Sequence, residues 1–260
     1  NLVALGVGEI VCLGFAGEDG EGFELVRSLR GMPRVRADAF VQTPQRRTFT
    51  YCKPLIMEPG KPPRELNRLD SKNWTPTPPV LQEQFAAHVR DLAHTVDALV
   101  LMDQVDIAET GVVTGAVCAA AHAAWRARPG LITLADSRRS LCDFPPLGFK
   151  MNAAELAALT GATSLLTLDD VRRHSAALAR RHHGHPVFVT LAERGIVGAA
   201  GSDAVEHVPA LPVRGPIDIV GAGDAVTANL LAALAAGATV REAMSLAMAA
   251  ASVVIHQLGT

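Results

Sequence analysis

Pro216-Ile217-Asp218-Ile219-Val220-Gly221-Ala222-Gly223-Asp224 runs straight into Ala225-Val226-Thr227-Ala228-Asn229-Leu230-Leu231-Ala232-Ala233-Leu234-Ala235-Ala236, a strongly helical stretch with Gly237 placed to end it. Two glycines and an alanine strip side-chain bulk from the turn, so its backbone can approach a ligand closely. At a helix N-terminus such a turn is an anion site, because free N–H groups and the positive end of the helix dipole face outward. A carboxylate at Asp224 would repel a phosphate that is merely bound there. It has a use if it takes a proton from a nucleophile while the amides of Gly221, Ala222 and Gly223 hold charge on a transferring phosphoryl group. The local alternative is that Asp224 only caps the helix. Spacing alone leaves both readings open.

Working outward from this turn, strand and helix patterns alternate along the chain. Glu9-Ile10-Val11-Cys12-Leu13-Gly14-Phe15-Ala16-Gly17 reads as one buried strand, 23–30 as a helix with Leu25, Val26 and Leu29 on its apolar side, and 35–41 as a second strand. Residues 47–70 change character: Thr48 to Lys53 alternates as a half-exposed strand, Glu58 to Pro63 is a turn, and Leu66 to Leu69 can pair back. This reads as a small β-excursion outside the main sheet, either a lid or dimer contact or an ordinary surface hairpin. Helices are predicted over 81–95, 111–126, 153–159 and 168–181, with strands at 98–102, 131–134, 149–151 and 186–191. A hairpin over 196–208 and two helices after Gly223 complete the chain. The order implies an α/β layered fold with a mainly parallel sheet. In such sheets the site lies beyond the carboxyl ends of the strands. Asp103, Asp136, Asn152 and Thr190 sit at or just after predicted strand ends, so they are expected on one edge with Asp224.

Composition excludes several functions. The 260 residues suit one domain, and 49% hydrophobic against 19% charged residues supply a buried core. A net charge of −2 and 4% aromatics give neither the basic footprint nor the stacking surface of a nucleic-acid binder. Cys12, Cys52, Cys118 and Cys142 are widely spaced and read as reduced, mostly buried thiols of a cytoplasmic protein. No apolar run of 18 residues and no signal segment is seen, so no membrane partner is expected. The dinucleotide fingerprint fails at Val11 after Gly6-Val7-Gly8, and no P-loop, nucleophile elbow or zinc-protease motif occurs.

Three further constellations carry two readings each. Asn152-Ala153-Ala154-Glu155 opens a helix as a capping box, or its oxygens organise Mg²⁺ through water. Thr190-Leu191-Ala192-Glu193-Arg194-Gly195 leaves a buried strand, so its threonine forms a turn or reaches a phosphate. His182, His183 and His185 end a basic helix, where they favour the dipole or suggest a metal.

Taken together, Asp218-Ile219-Val220-Gly221-Ala222-Gly223-Asp224, Asn152-x-x-Glu155 and Thr190-x-Ala192-x-x-Gly195 resemble the ribokinase-like (PfkB) carbohydrate kinases in motif order and separation. Within that family the chain is most similar to the kinase domain that phosphorylates heptose 7-phosphate in ADP-heptose synthesis. Ala249 to Val254 with Leu258-Gly259-Thr260 supports this, and Arg68-Leu69-Asp70 resembles the family's second lid strand. The resemblance implies a single three-layer α/β/α domain over 1–260 with a partial β lid at 47–70; the half-exposed alternating strand of that excursion separately suggests dimerisation through it. It implies ATP and Mg²⁺ as cofactors and a sugar or sugar phosphate as acceptor. Asp224 would be the general base, with the amides of 221–223 as anion hole. Thr190, Gly195 and Asp218 would lie along the nucleotide, Asn152 and Glu155 would serve the metal, and the last two helices would flank the adenine. A first strand and a glycine-pair sugar segment are expected ahead of Asn1. Ile219 stands where the family often has threonine, Ala192 where glycine is common, and Met248 where heptose kinases have asparagine. Asp103-Gln104-Val105-Asp106 lacks the heptose kinases' lysine. Two alternatives follow from these departures: a silent homologue that binds sugar or nucleotide, and a kinase of a nucleoside or vitamin precursor.

Overall fold

The computed structural model describes residues 1–61, 63–201 and 204–257. Pro62 of the expected turn, Ser202 and Asp203 of the expected hairpin, and the Leu258-Gly259-Thr260 motif lie outside them. In chain order, β1 (Ile10–Val11) and β2 (Gly14–Gly17) lead to α1 (Gly20–Gly31), β3 (Val35–Arg36) and β4 (Phe40–Thr43). An arm of β5 (Thr50–Cys52), β6 (Leu55–Ile56), β7 (Arg64–Glu65) and β8 (Leu69–Ser71) follows. Next come α2 (Pro79–Leu92), β9 (Ala98–Asp103), α3 (Gly115–Ala127), β10 (Ile132–Ser137), β11 (Gly148–Asn152), α4 (Ala153–Thr160) and α5 (Leu168–Arg181). The chain continues through β12 (Val187–Thr190), a 3-10 turn at Ala192–Arg194, β13 (Ile196–Ala200), β14 (Ala204–Val208), α6 (Ala222–Ala235) and α7 (Val240–Val254).

Six strands form the central sheet in the order β14-β13-β12-β11-β10-β9. From β9 to β12 the neighbours are parallel, and β13 and β14 add an antiparallel edge. Strand side chains alternate between faces. On β12, Val187 and Val189 enter a cluster with Phe85 of α2, Val117 of α3, Leu156 of α4 and Leu178 of α5. Phe188, between them, joins Val226 and Leu230 of α6 and Met244 and Ala247 of α7. Each of these fully buried large side chains contributes about 1.5–3 kcal/mol. The sheet is therefore covered on both faces, as the alternating pattern predicts.

Some expectations need correction. The two strands predicted at 9–17 and 35–41 are each broken in two, with β1 pairing β3 and β2 pairing β4, all parallel. A turn in which Phe40 N–H donates to the Ala37 carbonyl (3.1 Å) interrupts the second strand, and its partner breaks at the same level. Helix α1 starts earlier than predicted because Asp19 caps it, accepting from Gly22 N–H at 2.9 Å. That register leaves Leu25 exposed, so of the three apolar residues only Val26 is fully buried. Nor are the cysteines mostly buried: Cys118 is, whereas Cys52 and Cys142 are exposed.

The excursion at 47–70 does stand apart. β5 pairs β8 and β6 pairs β7, both antiparallel, and neither pair joins the central sheet. Leu55, Met57, Leu66 and Leu69 are exposed along this arm. Among the described residues, no helix is long and apolar enough to cross a membrane.

Candidate active site

Parallel strands place the expected polar residues on one edge. Asp103 ends β9, Asp136 is the penultimate residue of β10, Asn152 ends β11 and Thr190 ends β12. Asn152 and Thr190 are direct cross-strand partners. Helix α6 is tied to the same edge from the far side: the Thr227 hydroxyl donates to the Asp136 carboxylate at 3.0 Å.

The N-terminus of α6 decides between base and cap. Its N-cap is Gly221, left-handed at φ 77, and no side chain among the described residues caps the helix. Asp224 lies in the first turn and is exposed. Its carboxylate makes no hydrogen bond or ion pair among the described residues, so it does not act as a cap. Ala222 N–H donates to the Ile219 carbonyl at 3.2 Å, so this amide is already engaged. Gly221 and Gly223 N–H groups have no acceptor among the described residues and keep their capacity for an anion. Asp218 braces the approach: its N–H donates to the Ile255 carbonyl (2.8 Å), and its carboxylate accepts from Val220 N–H (3.0 Å).

The N-terminus of α4 behaves differently. Asn152 accepts from Glu155 N–H at 2.9 Å, while Glu155 accepts from Asn152 N–H at 2.7 Å. The capping box is thus realised. One Glu155 oxygen and the Asn152 amide nitrogen stay outside it. Burial pushes the Glu155 carboxyl up, and the Asn152 N–H bond works against that shift. A cation beside it would relieve this penalty. Among the described residues no group of three or more His, Cys, Asp or Glu could hold a metal. Mg²⁺ needs no such cage, since it keeps waters and takes one or two carboxylates plus substrate phosphates. The donor set at Glu155 fits that cation.

Gly195 has a structural explanation. It is left-handed (φ 92), and a Cβ there would lie 2.1 Å from the Val208 carbonyl oxygen. The glycine lets the 208–210 backbone cross over the turn, whatever lies above it. Ala192 is also left-handed at φ 52, a conformation in which glycine would carry less strain. The Thr190 hydroxyl points to the Met151 carbonyl at a long 3.4 Å, a weak bond that a better partner can replace. Met248 is buried in the cluster beneath α6, and Ile219 is 72% exposed. The histidines pack rather than gather. His182 meets the Leu147 carbonyl through Nδ1 (2.9 Å) and the edge of Phe149, while His183 and His185 lie against Trp125.

One central residue escapes the sequence reading. Lys150, on β11, is only 6% exposed and pairs with Asp136 at 2.8 Å. A Cβ on Gly223 would sit 3.3 Å from its Nζ, so this ammonium lies directly behind the glycine turn. It occupies the middle of Phe149-Lys150-Met151, a sequence that by alternation alone reads as a strand with one solvent-facing lysine. The available signal was the opposite charge one strand away: Asp136 and Lys150 stand near neighbouring carboxyl ends, with Ala135 paired to Phe149.

A profile described as "pfkB family carbohydrate kinase" matches residues 2–260. Bifunctional protein HldE of Azorhizobium caulinodans is 31% identical over 264 residues, covering all of this chain and 52% of that protein. Bifunctional protein HldE of Rhodospirillum rubrum is 32% identical over 263 residues, covering all of this chain and 50% of that protein. The chain spans about half the length of these curated relatives. A mutant of Escherichia coli phosphofructokinase-2 superposes with a TM-score of 0.73 at 21% identity, covering 98% of this chain and 80% of that one. Arabidopsis thaliana ribokinase, solved with ribose and ATP, gives 0.68 at 19%, covering 97% and 77%. At those identities the two structures speak for a ribokinase-like fold alone. The profile match adds descent to that shared architecture: the chain belongs to the pfkB family of carbohydrate kinases.

Proposed function

We propose that this domain phosphorylates a hydroxyl of a sugar or sugar phosphate with ATP, Asp224 serving as general base. One observation carries the reading: the N-terminus of α6 holds open amides and an unpartnered carboxylate side by side, with no cap. Asp224 takes the proton of the acceptor hydroxyl as its oxygen bonds to the γ-phosphorus. The bond to the β,γ-bridging oxygen breaks, and ADP leaves with that electron pair. Gly221 and Gly223 N–H groups hold charge on the transferring group, and Lys150 adds a buried positive charge behind them. Asn152 and Glu155 would hold Mg²⁺ through water; when bound, that ion neutralises charge on the phosphates. Thr190 and Asp218 flank the nucleotide in this reading, while Gly195 shapes the turn beneath it.

The relatives named HldE, with the resemblance to heptose 7-phosphate kinases, support a heptose phosphate as acceptor. The arm at 47–70 would act as a lid and as a dimer contact, a role its exposed leucines suit. A cytoplasmic setting accords with four unpaired thiols. The direct test measures ADP release by the full-length protein across sugars and sugar phosphates, beside an Asp224→Asn control. Turnover well above the control is expected on at least one acceptor. Equal rates on every acceptor would overturn the reading. Sedimentation of the full-length protein tests the dimer, and a monomer at micromolar concentration rejects it.

A further inference from the structure

A cleft of about 490 Å³ opens between the 141–146 loop, the end of α4 and the last turns of α5. Pockets of that size hold small molecules. It lies away from the glycine turn. Helix α4 begins at the Asn152–Glu155 box and reaches the cleft only with Leu159 and Thr160, about 12 Å further along its axis. The floor is aromatic: Phe144 and Phe149 meet edge to face at 6.4 Å, and His182 stands edge-on to Phe149 at 4.4 Å. Leu141 and Leu178 add to the apolar wall. Rings set at right angles in this way leave faces and edges for a further ring to pack on.

Three basic side chains line this cleft, His174, Arg181 and His182, and among the described residues no carboxylate does. Arg181 is exposed and makes no ion pair or hydrogen bond among the described residues, and neither does His174 on the same face of α5. As the last residue of α5, Arg181 suits the negative end of the helix dipole. That accounts for a cation there, but not for the cleft beside it. His182, only 8% exposed, gives the cleft a polar direction. Its Nδ1 meets the Leu147 carbonyl at 2.9 Å, and a carbonyl can only accept, so Nδ1 carries the proton. Burial lowers the pKa of this imidazole against the pull of the Leu147 bond, with Arg181 and His183 adding to the effect, so the ring stays neutral. Nε2 is left as an acceptor with no partner among the described residues. A buried acceptor without a donor costs stability, and a ligand N–H or O–H recovers it.

We propose that this cleft binds a small aromatic carboxylate bearing an N–H or O–H donor. The ring packs on Phe144 and Phe149, the carboxylate meets Arg181 and the donor meets His182 Nε2. The site is separate from the kinase reading and does not depend on it. The test titrates indoleacetate into the full-length protein by calorimetry, beside naphthaleneacetate, which lacks the N–H, and tryptophol, which lacks the charge. Indoleacetate is expected to bind with a Kd below about 1 mM. Each analogue should bind about tenfold more weakly, the worth of one lost hydrogen bond or charged contact. Arg181 is exposed, so Arg181→Ala leaves the core intact; it should weaken indoleacetate about tenfold and leave tryptophol unchanged. Exposed Cys142, on the cleft itself, gives a second readout. Bound indoleacetate should slow alkylation of Cys142, followed by peptide mass spectrometry, and leave exposed Cys52 as reactive as before. No binding of indoleacetate at millimolar concentration would overturn the proposal. So would either analogue binding as tightly, an unchanged affinity in Arg181→Ala, or binding that leaves Cys142 unprotected.

Discussion

Two helices begin on the same edge of the sheet, and they begin in opposite ways. α4 closes its own N-terminus, with Asn152 and Glu155 satisfying each other's backbone N–H groups. α6 leaves its terminus open: glycine at the N-cap, no side-chain cap, and an exposed aspartate in the first turn. An uncapped terminus forgoes about 1 kcal/mol that serine, threonine or asparagine would supply. α4, α5 and α7 carry full capping boxes, whereas α2, α3 and α6 have no N-cap side-chain bond among the described residues; in the function proposed above, α6 keeps its amides for the phosphates.

The sharpest way to break this contrast is Asp224→Asn. Because the carboxylate has no partner among the described residues, stability should fall by no more than the helix-dipole contribution of about 0.3–1 kcal/mol. Loss of a general base should lower kcat about 10²- to 10⁴-fold. Steady-state kinetics beside thermal unfolding measure both. A large drop in melting temperature at near-normal kcat would make Asp224 a structural residue.

Lys150→Met comes next. It strands Asp136 in a buried setting, and breaking one side of a buried pair costs about 3–5 kcal/mol. Urea unfolding should show that loss, and adding Asp136→Asn should recover part of it. If the single variant unfolds like the wild type, the ammonium does not support the open terminus from behind.

Thr227→Val removes the hydroxyl that ties α6 to Asp136 at 3.0 Å. A hydrogen bond to a charged group contributes about 1.5–3 kcal/mol. The variant should lose stability in that range and some kcat, since the glycine turn is no longer held at the sheet edge. Unchanged values of both would detach the turn from the sheet.

Asn152→Ala probes the closed terminus. Its expected cost is that of a cap, about 1 kcal/mol, or roughly 2–4 °C in Tm for a domain of this size. The effect should show in melting before it shows in turnover. Should Asn152→Ala match Asp224→Asn in lost activity at unchanged Tm, the contrast between the termini would be reversed.

The alternation of strands and helices was legible because period and turn chemistry are local properties. It puts Asp103, Asp136, Asn152 and Thr190 on one edge, where they lie. The capping box at Asn152 was equally legible, being three residues long and self-contained. Local pattern failed where a nearby turn changed the outcome. The split strands follow from the Ala37–Phe40 turn, and the exposure of Leu25 follows from a register set by Asp19.

By itself, then, the sequence determined the layered α/β class, the strand-end edge and the small-residue turn at 221–223. Each of these is written in spacing over a few residues. Only the tertiary structure decided that Asp224 is not a cap, because that depends on where Gly221 turns left-handed and starts the helix. It alone set Lys150 behind Gly223, through a pairing to Asp136 and a helix some seventy residues further on. It alone collected Arg68, Lys72 and Arg138 on Tyr51. Contacts like these follow from strand order and register, which bring charges together across the fold and leave no periodic mark in the chain.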